Sequence, residues 1–215
     1  MPARIDLEKR RKDVVEAAFR LLVAEGITGL SLRKVAVESG LNIGSVRHYF
    51  DDHRNLLVAA ADEVGDRMGK RLTRRPTDTL VGLDGEPAVD ALQALVEELL
   101  PLDDERRVES IVLMEFIVAA RVNPVFRPVT ERMAADMRQV ITQALDVLGV
   151  PEPAEEAERL IAILGGLILD AVTPHGSLGN ERVRRTLRAH LRSVLVTGRT
   201  GTHRDAPRRT PGEMT

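Results

Sequence analysis

The fold is decided by the stretch Ser31–Phe50, which reads SLRKVAVESGLNIGSVRHYF. Ser31 can cap a short helix, because its hydroxyl can accept a hydrogen bond from a backbone N–H of the first turn. Apolar residues then recur at i, i+3 and i+4 from Leu32, which is the spacing of one buried helical face. The first half of the stretch therefore predicts a short amphipathic helix.

The second half of the stretch predicts a turn and another short helix. Gly40 stands where the first helix must end, and Gly adopts the left-handed conformation of a helix end without steric cost. Asn42 can cap a second helix that runs from about Ile43 to Phe50. Two short helices joined by about three residues form a helix-turn-helix, whose second helix enters the major groove of DNA.

This stretch resembles the signature of TetR-type transcriptional repressors. The resemblance rests on GLNxGSVRxYF at residues 40–50, the following Leu56-Leu57 and the entry LSLRKVA at residues 30–36, and it covers roughly residues 7–60. Two positions depart from the family pattern: Arg47 replaces a frequent Tyr, and His53 replaces a frequent Lys. Both positions usually touch phosphate in the family, and Arg or protonated His can also do so.

The resemblance implies a homodimer that binds a near-palindromic site on double-stranded DNA. Residues near the second helix would meet the DNA, while Ser31, Lys34 and His53 would hold phosphate. The complete set of predicted DNA-binding residues is Ser31, Lys34, Asn42, Gly44, Ser45, Arg47, His48, Tyr49 and His53.

Composition is consistent with this function. The 215 residues include no Cys, which excludes disulfides and thiolate sites and favours a cytoplasmic location. No signal peptide is visible, and the longest apolar run, residues 160–169, is too short to span a bilayer, so we expect no membrane partner. Residues 1–75 carry fifteen Lys and Arg against eleven Asp and Glu, whereas the remainder carries sixteen against twenty-two. A basic N-terminal part suits an approach to phosphate, although ordinary scatter of surface charge is the alternative.

The chain predicts an all-α protein, since no segment shows the alternation of a half-buried strand. An apolar stripe at Val15, Ala18, Phe19, Leu22 and Val23 predicts a first helix that ends at Gly26 and completes a three-helix domain. The basic run at residues 4–12 leaves two readings open, a flexible arm that reaches DNA or a solvated helix start.

Four segments divide the chain. We predict a helix-turn-helix DNA-binding domain at residues 1–52, a connecting helix at 53–72, a ligand-sensing and dimerisation domain at 88–196, and a disordered tail at 197–215. The helices of the third segment are predicted at about 89–100, 103–122, 125–148, 153–172 and 180–196, with Asn180 as the cap of the last.

The last two helices predict how the chain meets a second copy. Two adjacent glycines inside the first of them lower helix propensity, which is tolerable where another backbone comes close. The TetR resemblance implies a four-helix dimer interface here, although both apolar stripes could pack within their own subunit instead. His190 lies on the stripe and is predicted to be a hydrogen-bonded interface residue rather than a metal ligand. The predicted interface is Leu164, Gly165, Gly166, Ile168, Val183, Leu187, His190, Leu191 and Val194.

Motifs of enzymatic chemistry are missing from the sequence. There is no P-loop, dinucleotide-binding turn, HExxH or GxSxG motif, and the five histidines lack metal-ligand spacing. We therefore expect no enzyme, no cofactor and no metal. The alternative from another functional class is a helical interaction module or small-ligand enzyme whose helix-turn-helix no longer binds DNA.

The third segment offers a predicted effector pocket. Glu115 stands inside the apolar run 111–118, where an unpaired carboxylate is costly. It could accept from a ligand, or it could pair with an Arg of a neighbouring helix, which is the preferred reading. With no Trp and one Tyr in the chain, an aromatic cage for choline-like ligands is not expected, and a small, mainly apolar effector is. The predicted lining is Leu95, Leu99, Val112, Glu115, Phe116, Met133 and Met137.

Overall fold

A computed structural model describes the backbone of residues 2–176 and 178–197 and the side chains of residues 7–176 and 178–196. Within these ranges every regular element is a helix, which confirms the all-α prediction. The α-helices are α1 (Pro2–Gly29), α2 (Leu32–Ser39), α3 (Ile43–Tyr49), α4 (His53–Leu72), α5 (Gly85–Val96), α6 (Asp104–Ala120), α7 (Arg127–Val147), α8 (Pro153–Val172) and α9 (Asn180–Arg192). Short 3₁₀ turns span Thr77–Leu80, Glu97–Leu99 and Pro124–Phe126, and a π-helical turn spans Ser193–Thr197.

Helices α1, α2 and α3 form an N-terminal unit that we call the head, and its helix-turn-helix has the predicted caps. Ser31 Oγ accepts from Lys34 N at 3.3 Å, and Asn42 Oδ1 accepts from Ser45 N at 2.8 Å. Gly40 ends α2 with φ 69° and ψ 18°, in the left-handed region that favours Gly. These local interactions set where α2 begins and ends and where α3 begins.

Helix α1 carries the basic run and is interrupted near its end. Residues 4–12 are helical, so the structure shows the helix start rather than a separate arm. At Gly26 the backbone has φ 70° and ψ −178°, which breaks the helix before a last turn that ends at Gly29. Val23 is exposed and lies off the buried stripe, contrary to the prediction, because the stripe uses Val14, Ala17 and Leu21 of the same helix instead.

Two hydrophobic clusters form the core. The head cluster combines α1, α2, α3 and the first part of α4 with residues of α6, α7 and the turn between them. The second cluster belongs to α5–α9, which we call the body, and α8 enters it through Ala157, Leu160, Leu164 and Leu167. Helix α4 is shared: Leu56, Leu57, Ala60, Ala61 and Val64 lie in the head cluster, whereas Leu72 packs on the body cluster. A shift of α4 therefore disturbs both parts.

Details of the body differ from the predicted boundaries. Helix α5 begins at Gly85, earlier than expected, because Asp84 Oδ1 accepts from Gly85 N at 2.8 Å and Pro87 fits in the first turn. Asn180 does not cap α9, since Gly179 holds that position and Asn180 Nδ2 donates to the Leu102 carbonyl oxygen at 2.8 Å. The predicted tail lies outside the described residues, apart from the backbone of Thr197.

None of the helices in the described residues combines the length and apolar character needed to cross a membrane.

Candidate DNA-binding face and ligand cavities

The exposed side of α3 is the candidate DNA-reading surface. Asn42, Gly44, Arg47 and His48 are exposed, so the structure brings four of the predicted residues to one solvent-facing surface. Tyr49 is half-buried and packs against the head cluster, with its ring centroid 5.4 Å from that of His48 in an edge-on arrangement. Tyr49 therefore packs α3 against the rest of the head and also lies at the edge of the exposed surface.

Gly44 has a local role beside its predicted closeness to DNA. A Cβ at this position would lie 3.2 Å from Asn42 Oδ1, the atom that accepts from Ser45 N. Such a contact is tighter than most real Cβ contacts, so a larger residue would press on the cap of α3. The glycine keeps the start of the recognition helix intact.

The three predicted phosphate contacts lie in different environments. Ser31 serves as the cap of α2, and the Lys34 ammonium forms an ion pair with Glu25 of α1. His53 is half-buried where α4 meets α6 and the turn Pro124–Phe126, and its Nε2 is buried without a hydrogen-bond partner in the described part of the chain. Nε2 is enclosed by protein, and the phosphate contact of His53 stays a prediction.

The predicted dimer residues divide into a buried and an exposed group. Leu187 is 0% exposed within a single chain, and four other members are also buried in the body core. The buried members are Leu164, Ile168, Val183, Leu187 and Leu191. His190 and Val194 are half-buried, and only Gly165 and Gly166 are exposed. The apolar stripe therefore serves the chain's own core, as the alternative reading held, and the set of interface residues needs correction.

A different face of α8 and α9 is open to solvent. It presents small or apolar side chains, and no atom lies within 4 Å of a Cβ built on Gly165 or Gly166. Leu169 is 43% exposed and Val196 is 40% exposed. The exposed small and apolar residues on this side are Ala162, Gly165, Gly166, Leu169, Ala189 and Val196.

His190 has its partner within its own chain. Its Nε2 lies 3.0 Å from Oε1 of Glu156, a buried carboxylate of α8 that also accepts from Arg159 at 2.8 Å. The contact joins α9 to α8 within one chain, whereas the predicted role of His190 at an interface stays a prediction.

Three of the predicted pocket residues line a cavity between α4 and α7. This acidic cavity has a volume of about 430 Å³ and takes walls from both helices. Its lining is Asp62, Gly65, Asp66, Met68, Gly69, Lys70, Leu72, Thr73, Leu99, Arg132, Met133, Asp136 and Met137. Leu99, Met133 and Met137 were in the predicted set, whereas the contribution of α4 was missed.

The charged side chains of this cavity are unevenly paired. Asp62 accepts from Arg132 at 2.5 Å. Asp66 and Asp136 have no ion-pair partner in the described residues, although Lys70 also lies on the wall. The cavity therefore offers two free carboxylates next to methionine side chains.

A second, apolar space adjoins the acidic cavity. It measures about 310 Å³ and shares Met68, Met133 and Met137 with its neighbour, while Leu113 and Ile117 of α6 add apolar wall. Methionine is flexible and fills irregular shapes, so movement of these three side chains can merge the two spaces.

The remaining predicted pocket residues are elsewhere. Leu95 is buried in the body core, and Val112 and Phe116 belong to the head cluster, where the rings of Phe116 and Phe126 are 5.3 Å apart. None of these three lines the acidic cavity or its apolar neighbour. Val112 and Phe116 hold α6 against the head instead, whereas Leu95 packs α5 into the body.

Glu115 contacts the backbone of α1 and forms no ion pair with an Arg in the described residues. Its Oε2 accepts from the backbone N–H of Ile27 at 2.9 Å, directly after the break at Gly26. The carboxylate therefore caps the last turn of α1 from another helix, as a side chain at a helix start often does within its own chain. This contact replaces the expected pairing with an Arg.

The buried acid of α6 is Glu109, which sequence reasoning missed. It is 1% exposed, and its oxygens lie 2.6 Å from Arg71 Nη1 and 3.9 Å from Arg67 Nη1, both on α4. Burial raises the pKa of Glu109, and the Arg71 guanidinium partly offsets the rise. A signal was available, because Arg67 and Arg71 are spaced i, i+4 and present two cations to one side of α4.

Arg67 joins three helices through the same cluster. Besides Glu109 of α6 it pairs with Glu63 of α4 at 2.9 Å and with Glu16 of α1, and its guanidinium lies 4.9 Å from the centre of the Phe19 ring. The cluster ties α1, α4 and α6 together at the middle of the molecule.

Metal binding has no visible basis in the described residues, where no three His, Asp or Glu side chains gather into a possible ligand group.

Comparison with known proteins agrees with this architecture. Residues 14–60 match the family model of bacterial regulatory proteins of the tetR family, and residues 88–196 match the C-terminal model of BetI-type transcriptional repressors. The HTH-type transcriptional regulator PksA of Bacillus subtilis is 32% identical over 200 residues, which cover 91% of this chain and 95% of that protein.

Solved structures show the same fold. A transcriptional regulator from Rhodococcus sp. Rha1 superposes with a TM-score of 0.76 at 28% identity, covering 86% of this chain and 95% of that one. A regulator from Saccharomonospora viridis, solved in complex with choline, reaches a TM-score of 0.72 at 22% identity, covering 85% of this chain and 95% of that one.

These relatives are transcriptional regulators, and the chain has both matched halves in one continuous helical structure. The capped helix-turn-helix, its exposed recognition helix and the shared α4 are the parts that such a regulator needs. The chain belongs to the TetR family of bacterial transcriptional regulators and carries its DNA-binding helix-turn-helix.

Proposed function

We propose that the protein is a homodimeric repressor that a small, mainly apolar effector with one positive charge releases from its operator. The observation that supports this proposal is the acidic cavity, whose methionine side chains and free carboxylates come from α4, with Asp66, and from α7, with Asp136. The domain limits of the sequence analysis, with α4 between a DNA-binding and a sensing part, remain part of the proposal.

Helix α4 supplies the route from ligand to DNA. Its first half packs in the head cluster and its second half forms one wall of the cavity. A ligand that separates α4 from α7 moves the head relative to the body, and with it α3 relative to a second recognition helix. Release requires that the ligand bind the DNA-incompetent arrangement more tightly, because equal affinity for both arrangements shifts nothing.

The lining supports one class of effector. Two free carboxylates favour a cation, and the shared methionines of the adjoining space accommodate an apolar body of variable shape. No Phe, Tyr or Trp is among the residues that line either space, so an aromatic cage cannot form there. We therefore still expect a small quaternary ammonium ion to bind weakly.

A matched set of probes tests the effector site. Phenylpropylamine, phenylpropanol and phenylpropionate share one body and differ in charge, and calorimetry measures the affinity of each for the full chain. We expect phenylpropylamine to bind best, and Asp66→Asn with Asp136→Asn to weaken it about tenfold, since each change removes a charge-assisted contact. Asp104→Asn, at an exposed site outside the cavity, is the control.

Operator release completes this test. Duplex fragments selected from a random pool by the protein provide the operator, and fluorescence anisotropy follows its release by the same three probes. Equal action of the alcohol and the amine, or action by phenylpropionate alone, would overturn the proposed charge of the effector.

DNA binding itself separates the repressor from the interaction module or small-ligand enzyme. Each phosphate contact steepens the loss of affinity with salt by a slope of about 0.9. Replacing Lys34 by Ala frees Glu25 and removes one cation beside α2, so affinity for all duplex sequences should fall and the salt slope should flatten. Arg121→Ala, at an exposed site on the body, should leave both unchanged. Salt-independent or absent binding of duplex DNA by the native chain would favour the other class.

The proposed dimer uses the open face of α8 and α9 rather than the buried stripe. Leu169→Glu places a like-charge pair near the two-fold axis and should convert the dimer to a monomer in light scattering, with weaker operator binding. Val81→Glu, which changes another exposed apolar residue far from α8 and α9 along the chain, is the matched control. A dimer that survives Leu169→Glu would place the interface elsewhere.

A further inference from the structure

A further cavity, separate from the acidic cavity and its apolar neighbour, lies where the head meets the body. It is at the opposite end of α4 from the acidic cavity. This junction cavity has a volume of about 470 Å³ and receives residues from α1, α4, α6 and the turn that follows α6. Its lining is Ile27, Thr28, His53, Arg54, Leu57, Ala119, Val122, Asn123, Val125 and Phe126. It shares no residue with the acidic cavity.

The junction cavity has one guanidinium and further groups that can donate hydrogen bonds. Arg54 is exposed and has neither a hydrogen bond nor an ion pair in the described part of the chain. Asn123 Oδ1 already accepts from Val125 N at 3.2 Å, which leaves the amide NH₂ as the free group. The Thr28 hydroxyl is a further donor, and no Asp or Glu lines the cavity.

Two neighbouring carboxylates, those of Glu115 and Asp52, already accept hydrogen bonds from the backbone. Glu115 approaches Ile27 from α6 but is not a lining residue, and its Oε2 accepts from Ile27 N. Asp52, which precedes α4, accepts from Asn55 N at 2.7 Å. The buried His53 Nε2, without a hydrogen-bond partner in the described residues, shows that polar groups on this wall are not fully satisfied by the protein.

We propose that the junction cavity binds a small organic carboxylate with an apolar body. The guanidinium of Arg54 is planar and matches a carboxylate with two parallel N–H bonds, and the Asn123 amide and Thr28 hydroxyl lie on the same walls to donate further. Leu57, Val125 and Phe126 surround the apolar part of such a ligand. The proposal is independent of the effector site, because the two cavities have separate linings of opposite charge.

The test uses the same three probes on the full chain without DNA, so that phosphate cannot compete for Arg54. Phenylpropionate should bind, phenylpropanol should bind at least about tenfold more weakly, and Arg54→Gln should weaken phenylpropionate by a similar factor. Arg121→Gln changes an exposed arginine just outside the lining and should leave its affinity unchanged. The His53 ring resonances in NMR spectra should shift on addition of phenylpropionate.

Specific outcomes would overturn this inference. Equal affinity for phenylpropanol, or equal weakening by Arg54→Gln and Arg121→Gln, would show that no carboxylate site exists at Arg54. Weakening of phenylpropionate by Thr73→Val, which changes only the wall of the acidic cavity, would place the carboxylate at that other site. Thermal unfolding of Arg54→Gln should match that of the native chain, because the residue is exposed. If phenylpropionate does not bind at Arg54, the affinity of phenylpropylamine for the acidic cavity is unaffected. The proposed effector therefore does not depend on this inference.

Discussion

The two ends of α4 lie beside cavities of opposite charge. At its start, His53 and Arg54 line a space that contains no carboxylate. In its second half, Asp62 and Asp66 line a space to which Asp136 of α7 adds a third carboxylate. The same helix therefore contributes the Arg54 guanidinium to one cavity, and two carboxylates together with Lys70 to the other.

The two cavities differ in the charge of the side chains that line them rather than in their volume. The cavities measure about 470 and 430 Å³, so size alone selects little between them. The two cavities also have different neighbours. The junction cavity is in direct contact with the head, whereas the acidic cavity is in contact with α7 of the body. Ligands of opposite charge would thus act on opposite ends of one rigid element.

The largest expected effect comes from Arg67, which lies between the two sites and lines neither. Arg67→Met keeps the apolar stem over Phe19 but removes the ion pairs with Glu16, Glu63 and Glu109. We expect urea unfolding to show a loss of about 2 kcal/mol, less than the roughly 3–5 kcal/mol of a fully buried pair, since Arg71 still faces Glu109.

Arg132→Met is the control for this change, because its partner Asp62 is exposed enough that the loss should be at most about 0.5 kcal/mol. Both cavities should keep their charge preference in Arg67→Met. If Arg67→Met weakened the binding of both phenylpropylamine and phenylpropionate as well as the stability, the two ends of α4 would not be separate sites.

Charge reversal of the acidic cavity should abolish the difference between the ends. Asp66→Lys combined with Asp136→Lys leaves Asp62 as the only acid on a wall that already has Lys70 and Arg132. We expect phenylpropylamine to bind at least about tenfold more weakly, and phenylpropionate to bind at two sites per chain instead of one. Calorimetric stoichiometry measures this, and a value that stays at one would contradict it.

A smaller effect is expected at the wall of the junction cavity. Glu115→Ala removes the acceptor for Ile27 N and should cost about 1 kcal/mol, below the range for charged acceptors because the site is half-buried. Amide hydrogen exchange at Ile27 should accelerate, and phenylpropionate should bind more weakly while phenylpropylamine does not change. Glu105→Ala, an exposed acid on the same helix, is the control, and unchanged exchange at Ile27 would argue against the cap.

The smallest effect is expected at Glu86, which lines neither cavity. Hydrogen bonds from Arg192 and then Arg188 lower the pKa of Glu86 and hold α9 against α5. A lowered folded pKa gives stability that is present above the unfolded pKa and is lost as pH falls through the folded pKa. Glu86→Gln should therefore be slightly less stable at neutral pH, with the difference vanishing in acid. Both probe affinities should stay unchanged, and a change in either would link α5 to the cavities.

The helix-turn-helix was predictable because its signals are local. Ser31, Gly40 and Asn42 each bond or turn within a few residues, so sequence spacing alone places them. The same locality predicted most helix ends of the body. At Asn180 the predicted cap was wrong because a contact with the distant Leu102 uses the side chain, whereas the earlier start of α5 rests on a local bond to Asp84.

The sites were harder to predict, because burial depends on partners that are distant in sequence. Glu115 stands in an apolar run, yet the buried acid is Glu109, which faces two arginines of α4. Likewise the apolar stripe with Leu187 shows that α9 buries one face, but the sequence does not state whether its own chain or a second copy covers it. The acidic cavity could not be predicted from the sequence, because it forms only where α4 packs on α7.

Tyr49 gives the molecule a built-in optical probe. The chain contains one Tyr and no Trp, and this Tyr lies at the end of the recognition helix, half-buried against the head and next to His48. Tyrosine emission from the unlabelled protein therefore originates from α3. Docking on DNA, or withdrawal from it when either cavity is filled, can be followed at that single ring without attaching a dye.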